Sequence, residues 1–212
     1  VPVWFHVLTK LNGTTFFNGQ ISAKMVKDQM DVLNAKFNSN KFRFSFAGWD
    51  FTNNETWYFD PSSNIIDIGT ALRKGSANTL NVYTCLTPGD GHNGLATFPY
   101  SGSQWDVRDS AMISKYGFPG ASYYDGKLLV HEVGHWLGLY HTFEGGEFGD
   151  YVDDTPFEAD TLEINTCPIG RKSCPLHDHP IHNFMDYTHP DCQTEFTPLQ
   201  YERMTRQYNF FR

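Results

Sequence analysis

Residues 131 to 141 restrict the fold of this chain more than any other part of its sequence, and they read H-E-V-G-H-W-L-G-L-Y-H. His131 and His135 are four positions apart, so on a helix both imidazoles lie on the same face, one turn apart. Two neutral imidazoles with this spacing can bind one zinc ion. Gly138 allows the helix to end, because glycine accepts the left-handed backbone conformation of helix termini. The chain can then turn back and provide His141 as a third ligand.

Three histidine ligands with an adjacent glutamate are typical of a catalytic zinc site. Three ligands leave one tetrahedral position for water, whereas structural zinc sites fill all four positions. Glu132 directly follows the first ligand, where it can take a proton from a zinc-bound water. A buried helix with incidental histidines would explain an isolated His-x-x-x-His pair, but the complete pattern is far rarer by chance. We therefore predict one catalytic Zn²⁺ bound by His131, His135 and His141, with Glu132 as a catalytic residue.

Composition and charge limit the size of the domain and its partners. The 212 residues are 40% apolar and 16% aromatic, which predicts a folded globule, either one large domain or two lobes around a cleft. We predict a single catalytic domain over residues 1–212, with lobes of about residues 1–141 and 142–212. The net charge of −8 argues against nucleic acid and anionic membranes as partners. No apolar run is long enough to predict a transmembrane helix, and we expect a monomer.

Three features of the sequence favour a secreted, extracellular protein. The four cysteines permit two disulfides in three connectivities, and none forms the C-x-x-C pair of a cysteine zinc site. Asn12 and Asn54 each begin an Asn-x-Thr sequon for glycosylation. The chain starts at Val1 without a methionine or a leader, which we interpret as a mature form whose signal or N-terminal propeptide has been removed.

A short strand is predicted ahead of the zinc motif. Gly94 to Pro99 reads G-L-A-T-F-P and stops at a proline, which is tolerated at sheet edges but not in their centres. An edge strand beside the zinc helix can pair with an extended peptide, and Gly94, Leu95, Ala96 and Thr97 would then bind substrate. An ordinary edge strand without a binding role is an equally good interpretation.

The segment that follows the third histidine is irregular and acidic. Residues 142 to 183 show little periodicity, and seven carboxylates lie between residues 144 and 160. An unstructured segment of this length in a compact domain is usually functional or held by other means. The carboxylates could bind Ca²⁺, which takes six to eight oxygen ligands, although their spacing is not that of an EF-hand and a solvated acidic loop is the alternative. The candidate calcium ligands are Asp150, Asp153, Asp154 and Thr155.

With a zinc motif of this form, the sequence resembles the metzincin metallopeptidases, whose signature also requires a later methionine turn. Residues 183–187, N-F-M-D-Y, are similar to that turn. The resemblance implies that Met185 packs beneath the three imidazoles as an apolar base. It also implies that Tyr187 can bind zinc or stabilise the reacting oxyanion. Without the zinc motif, a Met-x-Tyr sequence would be interpreted as an ordinary core pair.

The resemblance can be narrowed to the pappalysin, or cytophagalysin-like, family. The motifs that carry it are L-A-T-F-P, H-E-V-G-H-W-L-G-L-Y-H-T-F, V-D-D-T-P, P-I-H-N-F-M-D-Y and F-T-P-L-Q. Small members of this family are secreted, propeptide-activated zinc endopeptidases of microbes, including fungi. The family implies an α+β, metzincin-like zincin fold. Its twisted mixed sheet and two long helices form an N-terminal lobe, and an irregular C-terminal lobe lies across the active-site cleft.

The family resemblance also implies three features of the surroundings. These are calcium sites after the third histidine, a Cys167–Cys192 disulfide, and a substrate antiparallel to the edge strand at residues 94–99. Many relatives have a cysteine where this chain has Glu147, so Cys174 lacks its usual partner. A Cys85–Cys174 disulfide and two free thiols both remain open.

One position departs from the relatives that cleave beside basic residues. Those relatives have an acid at the base of the primed-side pocket, two positions before the cysteine matched by Cys192. Pro190 occupies that position here, with Asp191 next to it. A preference for Arg or Lys is therefore not predicted.

We predict an endopeptidase that hydrolyses peptide bonds in proteins, with Glu132 activating a zinc-bound water and passing the proton to the leaving amine. Two other functions could use the same site. A non-catalytic, zinc-stabilised binding module would be expected to lack the glutamate between the first two histidines, which is present here. A zinc hydrolase acting on a non-peptide bond differs only in its substrate. A chelator-sensitive casein-cleavage assay separates the three.

Overall fold

A mixed β-sheet carries the histidine motif on one of its faces in the computed structural model of the chain. The structure describes residues 1–12, 15–17, 21–37, 41–89, 91–99, 106–120, 123–145, 149–158, 165–172 and 178–212. The strands are β1 (Pro2–Asn12), β2 (Thr15–Phe17), β3 (Ser45–Asn53), β4 (Leu80–Cys85), β5 (Gly94–Ala96) and β6 (Ala111–Ser114). The α-helices are α1 (Ala23–Lys36), α2 (Glu55–Phe59), α3 (Ile65–Leu72), α4 (Lys127–Trp136) and α5 (Pro198–Phe211).

The strand β1 lies inside the sheet, with β3 and β4 paired parallel to it on its two sides. β6 continues the sheet parallel to β4, and β5 pairs antiparallel with β6, with Leu95 opposite Met112. β2 pairs antiparallel with the end of β1. In the described part of the chain, β5 therefore ends the sheet on one side, which confirms the edge position predicted for this strand.

Both faces of the sheet are covered by helices. Every residue of β4 and β6 is buried, as expected for strands that pack on both faces. On one face, Val3 and Phe5 of β1 belong to the main core together with residues of α1 and α4. On the other face, Tyr83 packs with Ile68 of α3 in a second cluster. None of the helices described here has the length and apolar character needed to cross a membrane.

The helix α4 ends where the sequence predicts, and a glycine precedes it as well. Gly126 precedes it with φ of 83°, and Gln29 of α1 donates from Nε2 to the Gly126 carbonyl at 2.9 Å. After the last turn, Gly138 has φ of 95° and its N–H donates to the His135 carbonyl at 2.8 Å. The left-handed glycine ends the helix and turns the chain back toward the first two histidines.

The described residues after His141 contain few regular elements before α5, as predicted. Thr197 caps α5, and Asp154 reinforces this cap from the acidic segment. Its carboxylate accepts hydrogen bonds from Thr197 Oγ1 at 2.6 Å and from the Leu199 N–H at 2.9 Å. Phe184, from this later part of the chain, belongs to the same main core as β1 and α4. The predicted α+β architecture with a mixed sheet is confirmed, whereas the division into lobes near residue 141 stays a prediction.

Candidate active site

His131, His135 and His141 converge on one point. Their three Nε2 atoms lie 3.0 to 3.2 Å from one another. The first two rings are placed by the helical spacing within α4, and the third by the turn at Gly138. Within the described residues, this is the one group of three or more His, Cys, Asp or Glu side chains arranged to hold a metal ion.

An oxygen atom faces the Nδ1 of each ring. The carbonyl oxygens of Phe184 and Leu139 lie 2.7 and 2.8 Å from the first two rings, and a Glu144 carboxylate oxygen lies 3.0 Å from the third. The two carbonyl acceptors favour a proton on Nδ1 of His131 and His135 and leave a lone pair on Nε2, as around metal-bound histidines. Burial lowers the pKa of His131 to about 3 and the pKa of His135 well below its ordinary value, so both rings are neutral near pH 7.

Zinc fits this set of donors. Three imidazole nitrogens that converge to 3.0 to 3.2 Å bring their lone pairs close together, and a cation between them would stabilise this arrangement. Zinc takes three neutral imidazoles in a tetrahedral arrangement and keeps a fourth position open for chemistry. The cluster therefore supports the predicted zinc ligands.

Glu132 is buried beside the ligands, and β5 passes directly against its carboxyl group. A Cβ atom on Gly94 would lie 2.1 Å from Glu132 Oε1, so only glycine permits this approach. Burial raises the pKa of Glu132 to about 8 in the metal-free protein. A divalent cation nearby would oppose that rise, which leaves the carboxyl group able to exchange a proton near neutral pH.

Met185 is fully buried and packs against the zinc-motif helix. A Cβ atom on Gly134 would lie 2.3 Å from the Met185 sulfur, so the helix and the turn meet where the helix has no side chain. Asn183 shapes the turn by accepting a hydrogen bond from the Met185 N–H at 2.9 Å. The role of Met185 as the base of the site stays a prediction that this packing supports.

Tyr187 lies at the open side of the histidine cluster and is 39% exposed. Its ring centroid is 5.8 Å from that of His131 and 4.7 Å from that of His141. Burial, together with the nearby Glu132 charge, raises the pKa of Tyr187 to about 12. The phenol therefore stays protonated at neutral pH and can donate a hydrogen bond.

A cleft of about 430 Å³ opens over these residues, lined by β5, by α4 and by the segment 186–193. Gly94, Leu95 and Ala96 line the cleft. Thr97, predicted with them, follows the strand, and its N–H donates to the Ser110 carbonyl of the same sheet at 3.0 Å. The substrate-binding role of this edge stays a prediction.

The predicted calcium ligands are used in different ways. Asp153 is exposed, and both carboxylate oxygens of Asp154 cap α5. Asp150 Oδ2 and Thr155 Oγ1 are buried and lack hydrogen-bond partners among the described residues. Burial raises the pKa of Asp150 to about 6. Among the buried oxygen atoms of these four residues, Asp150 Oδ2 and Thr155 Oγ1 are therefore the ones that a cation could satisfy.

The disulfide between Cys167 and Cys192 is present, with Cα atoms 6.0 Å apart, which confirms that pairing. The thiol of Cys85 is free and fully buried. The Cys85–Cys174 disulfide, one of the two alternatives left open by the sequence, is therefore wrong. The physical reason is position, because Cys85 points into the second core cluster and its sulfur faces the Ile113 carbonyl. Cys174 lies outside the described residues.

The asparagines of the two glycosylation sequons lie at the ends of regular elements. Asn12 ends β1. Asn54 caps α2, since its Oδ1 accepts a hydrogen bond from the Trp57 N–H at 3.1 Å. Its amide nitrogen, the atom that would carry a glycan, is not used in that bond. Glycosylation at both positions stays a prediction.

The sequence interpretation missed two features of the cleft. Lys127 lines the cleft, and its Nζ donates to the Pro190 carbonyl at 2.5 Å. Its position four residues before His131 is a signal that could have found it, because that spacing places both side chains on one helix face. The close contact between Gly94 and Glu132 has no such signal, since it joins distant parts of the chain.

Fold and site together define a metzincin-type metalloprotease. The Peptidase_M43 family model, described as pregnancy-associated plasma protein-A, matches residues 75–209. An extracellular metalloprotease of Verticillium alfalfae is 45% identical over an alignment that covers 96% of this chain and 74% of that protein. The chain belongs to the Peptidase_M43 family, which confirms the resemblance to the pappalysins.

Two solved structures share the fold over nearly the whole chain. Mature mirolysin of Tannerella forsythia, in complex with a cleaved peptide, has a TM-score of 0.75 and 25% identity, covering 100% of this chain and 97% of that one. A promirolysin mutant from the same organism also has a TM-score of 0.75 and 25% identity, covering 97% of this chain and 79% of that one.

Proposed function

We propose that this protein is a secreted zinc endopeptidase that cleaves peptide bonds within proteins. The observation that carries the proposal is the position of Glu132. Its carboxyl group lies beside the three converging histidines and directly against the edge strand at Gly94. A peptide that adds to this edge would pass within reach of both the base and the metal site.

The residues of the chain then have distinct roles. The backbone of β5 orients the substrate as an added strand, which fixes the scissile bond over the cleft. Glu132 takes a proton from the attacking water and passes it to the leaving amine. The Tyr187 hydroxyl donates a hydrogen bond to the developing oxyanion. When bound at the histidines, zinc supplies a Lewis acid that polarises the scissile carbonyl and lowers the pKa of water.

We infer the location and the processing of this protein from its relatives. The Verticillium protein is named as extracellular, which supports secretion of this chain. The existence of a promirolysin form supports synthesis with an N-terminal propeptide that is removed later. Proteins and peptides are the proposed substrates, and a monomeric state stays a prediction.

The first test is cleavage of casein. We expect the zinc-loaded protein to degrade casein, a chelator to stop the reaction, and added zinc to restore it, because the three histidines alone supply no Lewis acid. Cleavage of a peptide blocked at both ends, followed by mass spectrometry, distinguishes an endopeptidase from an exopeptidase. Casein and blocked peptides left intact by zinc-loaded protein would instead favour a binding module or a non-peptide hydrolase.

We further propose that Asp150 and Thr155 contribute to one calcium site. The Asp150 and Thr155 side chains interact with each other, but Asp150 Oδ2 and Thr155 Oγ1 are buried without a hydrogen bond of good geometry, which is costly unless a cation or water satisfies them. Calcium should therefore raise the melting temperature of the protein, and Asp150→Asn should remove most of that rise. Since protons compete with calcium for Asp150, whose pKa is about 6, the rise should be present at pH 7.5 and lost as the pH falls below about 6.

The exposed Asp153 provides the matched control for the calcium measurement, since Asp153→Asn makes the same chemical change on the same segment. An equal loss of the calcium effect in both variants would point to general charge screening. A melting temperature insensitive to calcium at pH 7.5 would contradict the proposed site.

A further inference from the structure

The cleft contains one lysine that the proposed mechanism does not use. Lys127 lies on the first turn of α4, four residues before His131, and lines the cleft. Its Nζ donates one hydrogen bond to the Pro190 carbonyl at 2.5 Å. An ammonium group has three donors, so two remain for another acceptor. No ion pair of Lys127 is found among the described residues.

Among the described residues that line the cleft, Lys127 is the one lysine or arginine. Asp186 also lines the cleft, but it is only 3% exposed, and its Oδ1 accepts from the Tyr187 N–H at 2.6 Å. Glu144 lies against the third histidine. The exposed Asp191 and Asp125 act on the Lys127 charge from a distance, and neither forms an ion pair with it. A substrate side chain that enters beside Lys127 therefore meets a positive charge.

The orientation of α4 relative to β5 determines which residue of a bound substrate lies next to Lys127. At one end of the cleft, Asn93, next to β5, donates to the Tyr124 hydroxyl at 3.0 Å. At the other end, the Phe98 ring lies 5.2 Å from that of His135. The strand and the helix thus run in the same direction, and Lys127 lies toward the start of β5. A peptide pairing antiparallel with β5, the more stable ladder, places the residue after the cleaved bond at this end.

The wall opposite Lys127 is held rigidly. The Cys167–Cys192 disulfide fixes the end of the short 3-10 turn at Pro190–Cys192. Gln193 donates from Nε2 to the Asp186 carbonyl at 2.7 Å. A charge held between a helix and a fixed wall loses little freedom when it pairs with a ligand, so it discriminates between substrates more strongly than a mobile surface lysine.

We propose that Lys127 determines specificity by favouring substrates with Asp or Glu immediately after the cleaved bond. The inference rests on the proposed endopeptidase function and adds a substrate class to it. The carboxylate of such a residue accepts hydrogen bonds from the two remaining donors of Lys127, while Arg or Lys at the same position is repelled. Leu128 and Tyr124 supply apolar contact for the methylene groups beside the charge.

Fluorogenic peptides that differ only in the residue after the cleaved bond test this inference. For the zinc-loaded wild-type protein, kcat/KM should fall in the order Glu, Gln, Arg, with Glu preferred over its uncharged isostere by roughly tenfold. Lys127→Met should lose the preference for Glu, so that this variant cleaves the Glu and Gln peptides with similar kcat/KM values whatever its overall rate. Lys127→Glu should reverse the order, with Arg preferred. Mass spectrometry of the products verifies the cleaved bond.

Lys24 of α1, exposed and paired with Asp28, provides the control, and Lys24→Met should keep the wild-type preference. Equal cleavage of the Glu and Gln peptides by the wild-type protein, or an unchanged preference in Lys127→Met, would overturn the inference and leave the endopeptidase function intact. Failure to cleave any of the peptides, or casein, would overturn the proposed function and the inference with it.

Discussion

We expect Glu132→Gln to abolish peptide cleavage and to leave the protein able to bind zinc. The amide has nearly the same shape as the carboxyl group, so the three histidines keep their positions, but it cannot accept the proton of the attacking water. General acid–base groups contribute factors of 10² to 10⁴, and Glu132 serves both proton transfers, so we expect kcat to fall by about 10³ or more. Quenched-peptide kinetics and metal analysis of the same sample measure the two properties.

The exposed Glu202 of α5 offers a control, since Glu202→Gln should leave both kcat and zinc content unchanged. Substantial activity in Glu132→Gln, at full zinc content and free of wild-type contamination, would exclude Glu132 as the base. Loss of zinc together with activity would show instead that the residue acts mainly in building the site.

The same variant also has an effect on stability that does not depend on catalysis. The pKa of Glu132 is about 8 in the folded, metal-free protein, against 4.5 ordinarily. The unfolded chain therefore releases this proton at lower pH, and the free energy of unfolding decreases as the pH rises from about 4.5 to 8. Chelated Glu132→Gln should lack this decrease, worth roughly 3 kcal/mol between pH 5 and 8, in urea titrations. Parallel curves for both proteins would contradict the burial of an ionisable carboxyl here.

Gly94→Ala should have the second largest effect on activity. The added Cβ atom would lie 2.1 Å from Glu132 Oε1, so either the carboxyl group or the edge strand must move. Displacement of a catalytic group by about 1 Å can reduce the rate by a factor of 10². We expect kcat/KM to fall by about 10² or more, with the zinc content retained because the three atoms nearest to the added Cβ all belong to Glu132.

Gly120→Ala is a suitable comparison for this variant. Gly120 has φ of 82°, and a Cβ atom there meets nothing within 4 Å. Its alanine variant should lose some stability through backbone strain but keep its activity. Equal kcat/KM in Gly94→Ala and the wild-type protein would mean that β5 does not hold Glu132 in place.

Local patterns in the sequence predicted the parts of this structure that short-range physics determines. The spacing of His131 and His135 places both rings on one face of α4. The left-handed Gly138 ends this helix and turns the chain back toward them. The edge position of β5 could be predicted because proline stops a strand. The Cys167–Cys192 disulfide could be inferred only through the resemblance to a family.

Contacts between distant segments could not be predicted in the same way. The free Cys85 depends on which face of β4 packs on α3, and the use of Asp154 as a cap for α5 depends on a contact 43 residues away. The role proposed for Lys127 depends on its hydrogen bond to the Pro190 carbonyl, which is 63 residues away. Such pairings follow from the tertiary arrangement, and a single sequence contains no periodic signal for them.

The hydrogen bond between His131 and the Phe184 carbonyl joins residues 53 positions apart. The hydrogen bonds that form α4 are local, but the acceptor that orients its first ring belongs to the methionine turn. Bringing the two segments together closes a long loop, which costs chain entropy. The geometry of the first ligand therefore depends on the tertiary fold, and a change that loosens the packing of the methionine turn should weaken metal binding without altering any ligand.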